Sequence, residues 1–145
     1  LNKRRPSAAG GPTYYFHIEA NGNLLFGAGE YLPPAHRLKA IRRHVVNDAT
    51  GFSKMLKNKH LRATYGDLQF EDVLQRPPKG VDPDHPLVDY LKLKSYFVWV
   101  EVPLLLNSPE LLVPQLASGM KDAFPLVTWL RSVPQEPQEE QESTD

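Results

Sequence analysis

Fourteen prolines in 145 residues decide where regular structure can run in this chain. Proline fixes φ and offers no backbone donor, so it is excluded from helix interiors and central strands. Between the prolines, residues 13–19 (TYYFHIE) are aromatic and β-branched and predict a strand. Asn21-Gly22-Asn23 is a turn signal, and residues 24–31 predict the returning strand of a hairpin that Pro33 and Pro34 stop. Gly27 and Gly29 lie two apart on one strand face, so something must pack there or approach closely. Leu38, Ile41 and Val45 then recur at helical spacing, with Arg37, Lys39, Arg42 and Arg43 elsewhere on the wheel. A second helix follows, capped by Asp48 or Thr50, with Phe52, Met55 and Leu56 as its apolar side. Pro77, Pro78, Pro83 and Pro86 leave residues 67–86 irregular. A short helix is expected over 85–93 from Leu87, Tyr90 and Leu91, with Asp84 as its cap. Residues 94–102 (KSYFVWVEV) are apolar on both faces and predict a central strand covered on both sides. Ser108-Pro109-Glu110 predicts the start of a last helix, which Pro114 and Pro125 should break or bend.

These elements define an α+β fold: an antiparallel or mixed sheet with helices packed on it, in a single domain. Residues 13–133 form the domain, 1–12 a linker or frayed start, and 134–145 an acidic tail expected to be disordered. The chain has no cysteine, which excludes disulfides, thiolate chemistry and Cys-ligated zinc and favours a cytoplasmic setting. No apolar run is long enough to cross a bilayer and no signal-peptide pattern begins the sequence, so a soluble protein without membrane contact is expected. Net charge is zero, but unevenly spread. The tail holds five acidic residues and no basic one, whereas residues 37–62 carry eight Lys and Arg against Asp48 alone.

Two groups of polar residues are candidates for chemistry. His17 and Glu19 share a strand face with Tyr15, and a histidine beside a carboxylate can act as base and orienter. His85 is the third catalytic candidate. Asp82, Asp84 and His85, in the irregular loop, are the candidates in kind for further ligands beside them, but without fixed ligand spacing they define no metal site and no cofactor. The second group, Arg76, Lys79, Gly80, Asp84 and Lys94, suits a small anionic ligand, a phosphate or a carboxylate. Both groups make one site only if the proline-rich loop folds over the hairpin. The alternative is a non-enzymatic interaction module that uses the basic helices 37–62 for a protein or nucleic-acid partner. Those cations spread around the helices with no nucleic-acid-binding motif, which weighs against nucleic acid. No Walker motif, nucleophile elbow, zinc-protease motif or dinucleotide fingerprint is present, and oligomeric state is not written in the sequence.

Several segments are familiar in combination: Tyr14-Tyr15-Phe16-His17-Ile18-Glu19, Gly27-Ala28-Gly29, Arg76-Pro77-Pro78-Lys79-Gly80-Val81-Asp82 running into Asp84-His85-Pro86, and Leu91-Lys92-Leu93-Lys94-Ser95. Pro125-Leu126-Val127 completes the set. Their order and spacing resemble the domain-of-unknown-function family 2461, a group of conserved hypothetical proteins. The resemblance implies an α+β fold in which this chain looks like the C-terminal two-thirds of a member. It implies no activity.

Overall fold

The computed structural model describes residues 11–103 and 109–135. Strands β1 (Thr13–Ile18), β2 (Asn23–Glu30) and β3 (Tyr96–Pro103) form an antiparallel sheet in the order β1-β2-β3. The turn between β1 and β2 closes where Glu19 N–H donates to Asn23 O (2.8 Å) and Gly22 N–H to Glu19 O (3.0 Å), with Gly22 at φ +83°. Pairing runs unbroken from Thr13↔Gly29 to Ile18↔Leu24 and from Asn23↔Pro103 to Glu30↔Tyr96. One face of the sheet therefore carries Leu24, Phe26 and Ala28 beside Val102, Val100 and Val98. The other carries Leu25, Gly27 and Gly29 beside Glu101, Trp99 and Phe97.

The two glycines are required by close approach. A Cβ at position 27 would meet the Val98 carbonyl oxygen and come within 2.8 Å of the Tyr15 hydroxyl. Tyr15, directly opposite on β1, reaches across β2 and donates to Val98 O (3.3 Å). Gly29 has φ +131°, a conformation L side chains rarely adopt. The expected partner of this bare face is thus the neighbouring backbone together with one tyrosine.

Helix α1 (Ala35–Asn47) buries Arg37, Ala40, Ile41 and Val45. Helix α2 (Ala49–Leu56) buries Phe52, Met55 and Leu56. A third helix, α3 (Lys59–Tyr65), was not expected. It starts because the Asn58 side chain accepts from His60 N–H and Leu61 N–H (both 3.1 Å), which supplies its cap. Helix α4 is a single turn (Val88–Leu91), and α5 (Leu112–Arg131) follows a 3₁₀ turn at Pro109–Leu111. The expected capping hydroxyl, Ser108, lies outside the described residues.

Two expectations are corrected here. Helix α5 is not broken by its prolines. Pro114 falls in the first turn, where backbone N–H groups lack helical partners anyway. Pro125 is flanked by Ala123, Leu126, Val127 and Leu130, all at 0% exposure, and that burial outweighs one lost hydrogen bond. The central strand is β2 and not β3. Apolarity on both faces of β3 reflects cover, not position in the sheet. Its edge is lined by the long loop, through Gln69 N–H to Phe97 O (3.0 Å), Trp99 Nε1–H to Glu71 (3.2 Å) and an isolated bridge Val73↔Leu93.

The core lies between the sheet and the helices, with α5 across β2. Gly119 allows that contact, because a Cβ there would strike the Phe26 ring. Tyr65 of α3 stands edge-on to Phe26 (centroids 6.1 Å apart) and donates to Gly119 O (2.7 Å). At the end of β2, Glu30 (3% exposed) and Arg37 (5% exposed) form a buried ion pair. Arg37 Nε donates to Glu30 Oε1 (2.9 Å) and its terminal nitrogen to Glu30 Oε2 (2.8 Å) and Leu130 O (2.8 Å). Gly11 N–H supplies another donor to Glu30 Oε1 (2.9 Å). Replacing Arg37 by Met strands the carboxylate and should lower unfolding free energy by about 3–5 kcal/mol in urea denaturation. The double change E30L/R37M should recover most of that loss. If the two single losses simply add, the pair is not a coupled unit.

Four tyrosines make a second prediction. Burial raises Tyr15, Tyr65 and Tyr96 well above the usual phenol range, and nearby Glu71 and Asp122 add to the rise at Tyr15 and Tyr65 respectively. Tyr90 is pushed up to about 12, first by burial and then by its hydrogen bond to Asp67. A raised folded value means the native state holds protons that the unfolded chain releases near pH 10 (roughly the free phenol value), so stability is complete below that pH and falls above it. Equilibrium denaturation from pH 8 to pH 12 should show the midpoint decreasing from about pH 10.

Candidate functional site

The hairpin residues form a pair at the sheet margin. His17 stands on β1 opposite Leu25, with Nε2 3.5 Å from Glu19 Oε2 and with side chains 45% and 37% exposed. The long loop is fastened beside β3 through residues 69–74. Lys94 Nζ pairs with Asp72 (3.3 Å), and Gly80 (φ +86°) sits in a turn closed by Val81 N–H to Pro78 O (3.1 Å). Arg76 and Lys79 are exposed. Among the described residues no hydrogen bond or ion pair joins His17 or Glu19 to Arg76, Lys79, Asp84, His85 or Lys94. No group of three or more His, Asp or Glu among the described residues is placed to hold a metal ion.

Asp84 does not cap α4. Its N–H instead donates to the Asp82 side chain (2.9 Å), and His85 N–H donates to Asp82 O (3.0 Å). The His85 ring fixes the approach to α4 instead: Nδ1 accepts from Leu87 N–H (3.0 Å), the residue before the helix. In the neutral ring this places the proton on Nε2 and leaves an N–H donor. Proline at 86 has no N–H to offer, so the first donor after it is Leu87, within reach of the His85 ring.

His85 faces α2. Ala49, Thr50, Ser53, Lys54 and Lys57 fall on one side of that helix, at spacings of one, three and four residues, opposite Phe52, Met55 and Leu56. With Asn58 and the segment His85-Pro86-Leu87 they line an open cleft of about 790 Å³. The cleft thus presents two lysines, two hydroxyls and an imidazole, and no carboxylate lines it. Among the described residues neither lysine is paired with a carboxylate. Asp48, the residue before α2, makes no side-chain cap, and its carboxylate accepts from the Trp129 indole (3.2 Å).

Of the predicted site residues, only His85 lines this cleft. Thr50, Ser53, Lys54 and Lys57 went unselected, although their spacing on one helix face was a usable signal. Arg37, grouped with the basic helices in the expectation of a binding surface, is buried against Glu30 and unavailable to any partner. Arg42 is also engaged, donating to Leu93 O (2.8 Å). Ser132, His44 and Asp48 come together near the end of α5, but not as a nucleophilic triad. Ser132 Oγ and Asp48 Oδ2 both address the same ring nitrogen, at 3.1 and 3.8 Å, and the serine hydroxyl donates to Trp129 O. A triad needs one partner on each nitrogen.

The family description "Conserved hypothetical protein (DUF2461)" matches residues 2–129, and the chain belongs to that family. No curated protein and no solved structure matches it. Among the described residues no helix is long and apolar enough to cross a membrane.

The two histidines differ in a measurable way. His85→Ala should speed hydrogen exchange at the Leu87 amide and cost about 0.5–1.5 kcal/mol of stability. His17→Ala, on an exposed edge, should stay within about 0.5 kcal/mol of the parent. Equal losses for both would mean that the His85 ring does not hold the entry to α4.

Proposed function

We propose that this domain binds a small oxyanion, a phosphate or a carboxylate, in the cleft between α2 and residues 85–87. The observation that carries this reading is the convergence of Lys54, Lys57 and His85 on one open surface that has no carboxylate of its own. Thr50 and Ser53 add hydroxyl donors that can rotate toward an oxygen ligand. Lysine ammonium groups are compact point charges and suit an oxyanion without fixed bidentate geometry. Arg76, Lys79, Gly80, Asp84 and Lys94 do not line this cleft and are not part of the reading.

Titration of inorganic phosphate at constant ionic strength, followed by backbone amide shifts, tests it. Amides of Thr50, Ser53, Lys54, Lys57, His85 and Leu87 should move together and saturate, with a dissociation constant on the order of 1 mM for so exposed a site. The double change Lys54→Gln with Lys57→Gln should weaken binding about tenfold while leaving the fold unchanged, since both side chains are exposed. Shifts that are absent, or scattered over other basic surfaces, would remove the proposal.

A further inference from the structure

Strand β1 ends the sheet order β1-β2-β3, and among the described residues no strand pairs with its outer side. In an antiparallel ladder the backbone groups of successive residues point to alternate sides. Glu19 N–H bonds to Asn23 O on the β2 side, in step with the β1–β2 register, so Thr13, Tyr15 and His17 bond to β2 as well. The N–H and C=O groups of Tyr14, Phe16 and Ile18 therefore point outward. Edge strands are normally blunted by a lysine, a proline or a bulge. β1 (TYYFHI) contains no lysine and no proline, and its pairing is unbroken. We infer that this edge pairs with β1 of a second copy of the chain, giving a symmetric dimer with one continuous sheet.

The outward-pointing residues also carry uncovered apolar side chains. Tyr14, Phe16 and Ile18 share the face of Ala28, Phe26 and Leu24, on which α5 packs, yet Phe16 and Ile18 are 54% and 49% exposed. Helix α5 turns Gly119 and Asp122 toward Tyr65 and Thr64 of α3, which packs on β3. Val113, Met120 and Phe124 lie on the opposite flank of the helix, hence on the β1 side, and are 73%, 37% and 52% exposed. Gly119 seats on Phe26, the register partner of Phe16, which brings that flank alongside β1. At roughly 150–200 Å² for a large apolar side chain, these residues leave on the order of 450 Å² uncovered.

The strip is complementary to itself. Facing residues must share a sheet face, and outward backbone groups must meet. Phe16 opposite the partner's Phe16, with Tyr14 opposite the partner's Ile18, satisfies both conditions and bonds all three outward-pointing residues. A shift of two residues in either direction leaves one of them unpaired. In this register Tyr15 faces His17 and Thr13 faces Glu19, so no like charges meet. The two-fold axis crosses the sheet at the Phe16 pair and puts both α5 helices on one face, their apolar flanks turned toward each other. Two copies bury on the order of 900 Å² of these side chains, and the strand edges carry the total past the roughly 1,000 Å² of a specific interface.

Sedimentation velocity between about 5 and 500 μM should show monomer giving way to dimer, with a dissociation constant on the order of 10–100 μM for an interface of this size. About 0.5 M NaCl should change it little, because the contact is apolar. Over the same range hydrogen exchange should slow at the amides of Tyr14, Phe16 and Ile18, while Tyr15 and His17 stay protected at every concentration. Phe16→Lys sets two ammonium groups against each other at the axis, and Phe124→Lys charges the α5 flank without touching β1. Each should weaken association about tenfold or more with unchanged far-UV circular dichroism, since both side chains are half exposed. If Phe16→Lys does not fold, Phe124→Lys decides. A monomer at every concentration, a dimer in which those three amides still exchange fast, or one that survives Phe124→Lys would overturn the inference.

Discussion

The buried pair Glu30–Arg37 ties together the elements that shape this molecule. It stands where β2 ends and α1 has just begun, and it also holds the carbonyl of Leu130 in α5. Taking two charges out of water is expensive, and a pair of this kind is tolerated only when every lone pair and N–H finds a partner. Here the carboxylate receives two guanidinium bonds and the Gly11 N–H. The consequence is geometric. With the start of α1 and the end of α5 fixed against β2, Trp129 reaches Asp48 and the α1–α2 junction is set. The direction of α2, and so the face it turns toward His85, follows from that junction.

The sheet imposes the other constraint. Gly27 and Gly29 let Tyr15 and the β3 backbone approach closely at the outer face. The same segment that looked most open in one-dimensional terms is therefore closed by its neighbours. Concave space arises instead where the sheet ends and the chain must turn, at the short helices and the loop that returns to β3.

The α+β class, the hairpin and its turn, both long-period helices and the irregular loop were legible from residue pattern, because each depends on local periodicity or on proline. What was not legible depends on distant partners. Helix α3 hinged on one cap, at Asn58. Position in the sheet could not be read from β3, since a covering loop and a covering strand leave the same apolar signature. Pro125 was read by its local cost, and the burial that offsets it is contributed by other elements. For the site, His85 was selected as a polar residue in a conspicuous loop. Its four companions on α2 were passed over because solvated lysines and hydroxyls on a helix are ordinary in sequence.

Cations that are equivalent in sequence acquire different roles through their surroundings. Arg37 is buried and bonded to Glu30 and Leu130, Lys94 is matched by Asp72, and Arg42 is turned to the carbonyl of Leu93. Lys54 and Lys57 are left facing a cleft without a counter-charge. A positive potential survives only where the fold has not supplied its own acid, so the capacity to attract an anion is a property of what is missing nearby. Counting basic residues over 37–62 overstated that capacity, since it gave equal weight to charges the protein already uses internally. Subtracting the engaged ones leaves Lys54 and Lys57 as the cations of this region that line the cleft.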